Sequence, residues 1–216
     1  MAPNQQQKEG PAGQDPFRAK HTALIALALT LVAFATLSDS WPGPTVISAI
    51  SPDGNRIVRV EPGESVGDTF GFAGAAKGPF AQATYYERDA ASDTFKSYLH
   101  ITLQNPVAPV DVLLNDGGVL ATLDNWHNIG YGSIVVIFDQ SGRIVADFEL
   151  EKIYTKEQVT EIPHSVSSRW WRCATNEPVI NDASLWITDN IGGQFKFNLA
   201  DGSFEYSQER DYCPGD

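Results

Sequence analysis

Two stretches, VDVLLNDGGVLATL at residues 110–123 and SIVVIFDQSGRIVADFEL at residues 133–150, decide the fold. Each stretch contains two runs rich in apolar and β-branched residues, and a short turn with Asp and Gly separates the runs. This pattern is typical of a β-hairpin. The connection at 124–132 joins the two hairpins. The region from Val110 to Leu150 therefore predicts four consecutive antiparallel strands.

Alternation of apolar and polar residues predicts further strands with one solvent face. In the region before the hairpins, the positions of one face are Phe95, Ser97, Leu99, Ile101 and Leu103. Near the end of the second hairpin they are Ile144, Ala146, Phe148 and Leu150. The continuous apolar run from Ile134 to Phe138 predicts instead a central strand that is covered on both faces.

Glycine turns recur at spacings that indicate internal repeats. Gly54 and Gly118 each follow a polar turn and precede an apolar strand, 64 residues apart. Gly142 and Gly202 each end a strand-and-turn pattern, 60 residues apart. We therefore expect an all-β chain of two to three related antiparallel meanders. Because a propeller usually needs four or more blades of about 40 residues, we do not expect a closed monomeric ring.

Two turns resemble those of propeller-type repeats: S-P-D-G at Ser51 to Gly54, and I-x-D-x-x-G at Ile137 to Gly142. The segments Asn105 to Gly132 and Ser165 to Arg172 (SVSSRWWR) resemble a group of uncharacterised exported bacterial proteins that are built from blade-like repeats. The resemblance covers most of residues 50 to 205. It implies blade-like β-sheets, and it implies no activity and no catalytic residues.

One short helix interrupts the strands. Thr155 and Gln158 have the spacing of a capping box, the helix is predicted from Lys156 to Ile162, and Pro163 ends it. Residues 63 to 81 contain five glycines and four alanines without a clear period, which predicts a long loop.

The apolar run from Thr22 to Leu37 predicts a targeting signal or a membrane anchor rather than the third alternative, a buried core helix. It follows the basic residues Arg18 and Lys20, and the small residues around Ala35 favour cleavage after that position. The alternative is an uncleaved anchor helix at 22–38, because a helix of this length nearly crosses a bilayer core of about 30 Å.

The chain thus divides into a polar region at 1–21, the signal or anchor at 22–38, and a β-rich domain at 39–216. Both alternatives predict that the domain is exported, and that it is periplasmic, secreted or tethered to the membrane through residues 22–38. In such an oxidising compartment Cys173 and Cys213 are expected to form a disulfide. The bridge would contribute about 3 to 4 kcal/mol in the chain-entropy model.

The net charge of −12 argues against nucleic acid as a partner. Of 15 basic and 27 acidic residues, 12 basic and 25 acidic residues follow Ala35. Proteins that bind nucleic acid neutralise phosphates with Lys and Arg, so a nucleic-acid partner is not expected. The acidity itself is typical of a soluble surface.

The connection between the hairpins is the first candidate binding site. It brings together Asp124, Trp126, His127 and Tyr131 on a loop between two strands, and such loops often carry function. The structural alternative, which we prefer, is a buried corner in which Trp126 fills the core and His127 bonds a backbone carbonyl.

The run Arg169-Trp170-Trp171-Arg172 is the second candidate, with Arg169 and Trp170 as its binding residues. Adjacent residues of a strand face opposite ways, so at most one of the two indoles points at the core unless the backbone bulges. An exposed Trp is a stacking platform for a sugar or a cation. In the alternative both rings pack inside, and the arginines pair with carboxylates.

Catalytic residues, metals and cofactors are not expected. The histidines at 21, 100, 127 and 164 have no paired ligand spacing, and Asp116, Asp124 and Asp189 lack the pattern of a calcium loop. The leading hypothesis is a non-enzymatic β-repeat module of the cell envelope that binds an envelope protein or a second copy of itself, by pairing an open sheet edge or by completing a propeller. The alternative is a carbohydrate-binding or carbohydrate-processing domain that uses Trp126, Tyr131 and one of Trp170 or Trp171.

Overall fold

The predicted meanders are present as three antiparallel sheets, each formed by four consecutive strands in chain order. The first sheet contains β1 (Ile47–Ile50), β2 (Arg56–Glu61), β3 (Gln82–Asp89) and β4 (Thr94–Thr102). The second contains β5 (Pro109–Leu114), β6 (Leu120–Asn125), β7 (Val135–Phe138) and β8 (Ile144–Phe148). The third contains β9 (Val179–Ile180), β10 (Ser184–Thr188), β11 (Gln194–Asn198) and β12 (Phe204–Ser207).

This computed structural model describes residues 42–64, 79–208 and 213. The signal or anchor at 22–38, the polar region at 1–21 and the centre of the predicted glycine-rich loop, at 65–78, lie outside the described residues. Within the described ranges no helix has the length and apolar character needed to cross a membrane.

The second sheet lies between the other two, and its two middle strands, β6 and β7, are covered on both faces. All four residues of β7 are buried. Val135 and Ile137 pack in a cluster with side chains of the third sheet, such as Phe195. Val136 and Phe138 pack in a cluster with side chains of the first sheet. The prediction of a central strand from Ile134 to Phe138 is therefore confirmed.

The arrangement is that of neighbouring propeller blades. The first strands of successive sheets are adjacent, because β1 contacts β5 and β5 contacts β9. In the described part of the chain the two core clusters join the first sheet to the second and the second to the third, and neither joins the first to the third. Within residues 42–64, 79–208 and 213 the sheets therefore form an open stack.

The glycine turns occupy equivalent places in different sheets, as the repeat hypothesis requires. Gly54 and Gly118 lie in the turns between the first two strands of the first and second sheets. Gly142 and Gly202 lie in the turns between the last two strands of the second and third sheets. All four have positive φ angles, from 71° to 83°, which glycine adopts without strain.

Bulges modify the outermost strands of the first and second sheets. Tyr85 pairs with Leu99 and Tyr86 pairs with Ser97, so the pairing passes over Tyr98. Leu99 and Ile101 pack inward as expected, but the shifted register places Ser97 and Phe95 on the outer face. A second shift, in the pairing of β7 with β8, leaves Ile144 exposed. The alternation of apolar and polar residues therefore predicted the strands correctly, but it predicted the wrong face for Phe95, Ser97 and Ile144.

Two short helices follow β8. α1 (Leu150–Ile153) was not predicted, because Leu150 continues the alternation of the preceding strand. α2 (Lys156–Glu161) has the predicted capping box, in which Thr155 Oγ1 accepts a hydrogen bond from the Gln158 amide and the Gln158 side chain accepts one from the Thr155 amide. Further along the chain, the predicted disulfide joins Cys173 to Cys213, with 5.6 Å between their Cα atoms.

Candidate functional site

The connection between β6 and β7 is built around the side chain of Asp124, which is fully buried. Its Oδ1 accepts hydrogen bonds from the indole Nε1 of Trp171 (2.8 Å) and from the amide of Gly130 (2.9 Å). Gly130 packs so closely on Arg169 that an added Cβ would lie 2.4 Å from a carbonyl oxygen. Asp124 thus ties its own loop to the Trp-Trp segment.

Arg172 supplies the charge that Asp124 needs. Its Nε donates to Asp124 Oδ2 (2.8 Å) and its Nη2 donates to Asp111 Oδ2 (2.6 Å). Burial raises the pKa of the Asp124 carboxyl, while Arg172 and the two neutral donors oppose that rise. Both carboxylate oxygens of Asp124 accept hydrogen bonds from protein donors. This arrangement agrees with the structural alternative for the loop, and Asp124 has no surface for a ligand.

The third sheet contains a second buried aspartate at the equivalent position, between its second and third strands. Asp189 Oδ1 accepts from the amides of Ile191 (3.1 Å) and Gly193 (2.6 Å). Its Oδ2 accepts from the hydroxyls of Tyr154 (3.0 Å) and Tyr206 (2.7 Å). Burial, together with the Asp189 carboxylate, raises the pKa of both tyrosines.

Sequence reasoning missed the equivalence of the two aspartates, although a signal for it exists. Asp124-Asn125 precedes Ile129-Gly130 in one loop, and Asp189-Asn190 precedes Ile191-Gly192 in the other. The first loop has three additional residues between the two pairs. Comparison of the two loops would have pointed to a structural function for both carboxylates.

The remaining side chains of the first candidate lie nearer the surface. Trp126 is half-buried, and its Nε1 donates to the carbonyl of Pro42 (3.0 Å), so it does not fill the core as the structural alternative assumed. The ring of His127 meets that of Trp126 edge-on at 6.4 Å. Burial lowers the pKa of His127, and its backbone φ is 71°. The structure does not bring these two rings into the depression described below.

Arg169 connects the two candidates. Its guanidinium lies 4.2 Å from the centre of the Tyr131 ring, and its Nη1 donates to the carboxylate of Glu151 (2.6 Å). Tyr131 and Arg169 are therefore stacked on each other. This contact covers a face of the tyrosine ring that a ligand would otherwise use.

The two adjacent indoles differ in burial, and the backbone turns between them, since the Trp171 amide donates to the Arg169 carbonyl (3.0 Å). Trp171 is fully buried and Trp170 is 43% exposed. Trp170 borders an open depression of about 220 Å³ on the surface. The other residues that line it are Asp111, Ile129, Arg172, Cys173, Ala174, Glu177 and Pro178. Of the six predicted binding residues, only Trp170 lines this depression.

A larger groove of about 890 Å³ lies between turns of the second and third sheets. Its acidic residues are Asp116, Asp139, Asp182 and Asp201, and Arg143 lies among them. Arg143 pairs with Asp139 (2.7 Å). Throughout the described residues, no group of three or more His, Cys, Asp or Glu side chains has an arrangement that could hold a metal ion.

Comparison with known proteins adds no family to this description. The chain matches no protein-family model, and no curated protein matches it. The likeness to exported blade-repeat proteins therefore stays a prediction from the sequence.

Proposed function

We propose that this protein is an exported, non-enzymatic module of the cell envelope that binds another protein through the outer face of its first sheet. The observation that carries the proposal is an apolar strip on this face. Ile50, Ile57 and Tyr86 are neighbours in one cross-strand row. Phe95 lies diagonally beside Tyr86, opposite Arg88 on the adjacent strand.

The exposure of the strip supports a docking function. Ile50 is 60% exposed and Phe95 is 39% exposed. Beside the strip, Arg88 lies on the same face as Phe95 and pairs with Asp93 (2.5 Å). An apolar centre with a polar rim is the usual anatomy of a protein interface.

The rest of the molecule favours binding through the outer face over the two modes that the sequence suggested. Those modes are pairing at an open sheet edge and completion of a propeller by further copies. The bulges in β4 and β8 disturb the edge hydrogen-bonding pattern, which makes pairing at a sheet edge less favourable. Ring completion would press two outer faces together, and the outer face of the third sheet carries Lys196 and Glu205. Two copies with a net charge of −12 each would also repel one another.

The proposed location and the absence of catalysis rest on separate observations. The Cys173–Cys213 bridge supports export, because disulfides persist in oxidising compartments. The most deeply buried carboxylates, Asp124 and Asp189, have their acceptor positions occupied by protein donors, which suits structural groups better than general acids or bases.

Site-specific photo-crosslinking in the native envelope tests the proposal. A photoreactive phenylalanine analogue replaces Phe95 in one variant and Val179 in a matched control. Val179 is 56% exposed on the outer face of the third sheet. We expect a discrete adduct from position 95 that Ile50→Asp abolishes and Val179→Asp preserves.

Three outcomes would contradict the proposal. The same adduct could form from positions 95 and 179, no adduct could form from position 95, or the adduct could survive Ile50→Asp. An adduct with twice the mass of the chain would show that the partner is a second copy of this chain and not a different protein.

A further inference from the structure

We propose a second binding site, independent of the apolar strip: the depression beside Trp170 binds one neutral pyranose residue of a glycan. The indole of Trp170 is the platform for the sugar ring. Carboxylates beside the indole accept hydrogen bonds from the sugar hydroxyls.

The backbone that carries Trp170 is held by hydrogen bonds and by a nearby disulfide. The Trp170 amide donates to the carbonyl of Pro163 (2.9 Å), and the Trp170 carbonyl accepts from the side-chain amide of Asn190 (3.1 Å). Three residues further on, Cys173 is bonded to Cys213, and its amide donates to the carbonyl of Thr188 (3.0 Å). A site that is already ordered loses little conformational entropy when a ligand binds.

The chemistry of the lining fits a sugar. The C–H face of a pyranose is apolar and slightly positive, which complements the negative face of an indole ring. Asp111 Oδ2 is bonded to Arg172, and its side chain is 43% exposed, which leaves Oδ1 available as an acceptor for a hydroxyl. Glu177 lies on the rim as an exposed second acceptor, and Ile129 provides apolar surface.

The volume and the charge of the depression restrict the class of ligand further. A volume of about 220 Å³ is below the range of about 300 to 1,000 Å³ that is typical of sites for drug-sized ligands, and it suits a single six-membered ring. Arg172 is paired with both Asp111 and Asp124, so the carboxylates of the site outnumber its cations. Uronic acids and other anionic sugars would be repelled, and neutral sugars would not.

Saturation-transfer NMR on the full chain in a non-glycosidic detergent tests the site. The probes are chitotriose, cellotriose and maltotriose, and a galacturonate trimer is the anionic control. We expect at least one neutral trisaccharide to bind and the galacturonate trimer to show no binding. Trp170→Ala should weaken binding about tenfold or more, whereas Trp170→Phe, which keeps a stacking face, should weaken it about threefold.

Tyr98→Ala is the matched control, because it removes a similarly exposed aromatic ring from the first sheet and should leave sugar binding unchanged. Circular dichroism confirms the fold of each variant. The proposal fails if no neutral trisaccharide binds at about 10 mM, since weaker binding would leave the site without function. It also fails if Trp170→Ala binds as the parent does, or if the galacturonate trimer binds equally well. These results leave the crosslinking test of the apolar strip unaffected.

Discussion

The loops around Asp124 and Asp189 each hold a buried carboxylate, and they supply it with different hydrogen-bond donors. Asp124 lies near the end of the second strand of its sheet, Asp189 directly follows the second strand of its own, and both are fully buried. Asp124 is balanced by the guanidinium of Arg172, whereas Asp189 is held by two tyrosine hydroxyls and two backbone amides. A buried carboxylate needs a full set of donors, but the fold can supply that set with or without a counter-charge.

The largest expected effect comes from removing the counter-charge at Asp124. Arg172→Leu leaves a fully buried carboxylate with only neutral donors, and we expect a loss of about 3 to 5 kcal/mol in the free energy of unfolding. Chemical denaturation of the parent and the variant measures this loss.

The double variant Arg172→Leu with Asp124→Leu provides the control. Replacement of both partners removes the uncompensated charge, so it should recover part of the lost stability. A double variant that is less stable than Arg172→Leu alone would show that the pair does not act as a charge and its counter-charge.

A smaller effect is expected at Asp189, where each donor is one of several. Tyr206→Phe removes one hydrogen bond to the carboxylate and should cost about 1 to 3 kcal/mol, since the Tyr154 hydroxyl and two amides remain. Chemical denaturation again gives the value. A loss equal to that of Arg172→Leu would mean that the two loops do not differ in the way their donors suggest.

The smallest effect on stability is expected at the aspartates of the exposed turns, which differ from the buried aspartates. Hydrogen bonds from Ser51 and Asn55 lower the pKa of Asp53 from 3.8 to about 2, and hydrogen bonds from Ser141 and Arg143 lower that of Asp139. A depressed pKa in the folded state contributes stability above the unfolded pKa, and this contribution is lost as the pH falls through the folded pKa.

We therefore expect a modest loss of stability between about pH 4 and pH 2, which thermal melts at a series of pH values would show. Asp139→Asn should make this acid limb shallower. An identical pH dependence in parent and variant would remove Asp139 from the explanation.

Much of the fold follows from local pattern. The hairpins of the second sheet, the capping box of α2 and the equivalent glycine turns depend on neighbouring residues, and all are present as predicted. The bulge at Tyr98 was missed because apolar and polar residues continue to alternate through it. The helix α1 was missed because Leu150 fits the alternation of the strand before it.

The candidate site was less accessible to sequence reasoning. The sequence predicted that at most one of Trp170 and Trp171 points at the core, but the choice of the buried ring depends on Asp124, 47 residues from Trp171. Asp111 joins the site through Arg172, 61 residues away. Local patterns carry no information about such pairs, so these partners became visible only in the folded chain.

The sequence by itself determined the strands, their turns, their grouping into repeated meanders and the pairing of the two cysteines. These features follow from backbone preferences, from apolar periodicity and from the chemistry of a lone cysteine pair. Tertiary structure alone decided that Trp171 is buried while Trp170 is exposed, and that Ile50 and Phe95 share one surface. The reason is physical, since burial and register depend on which distant strands pack together.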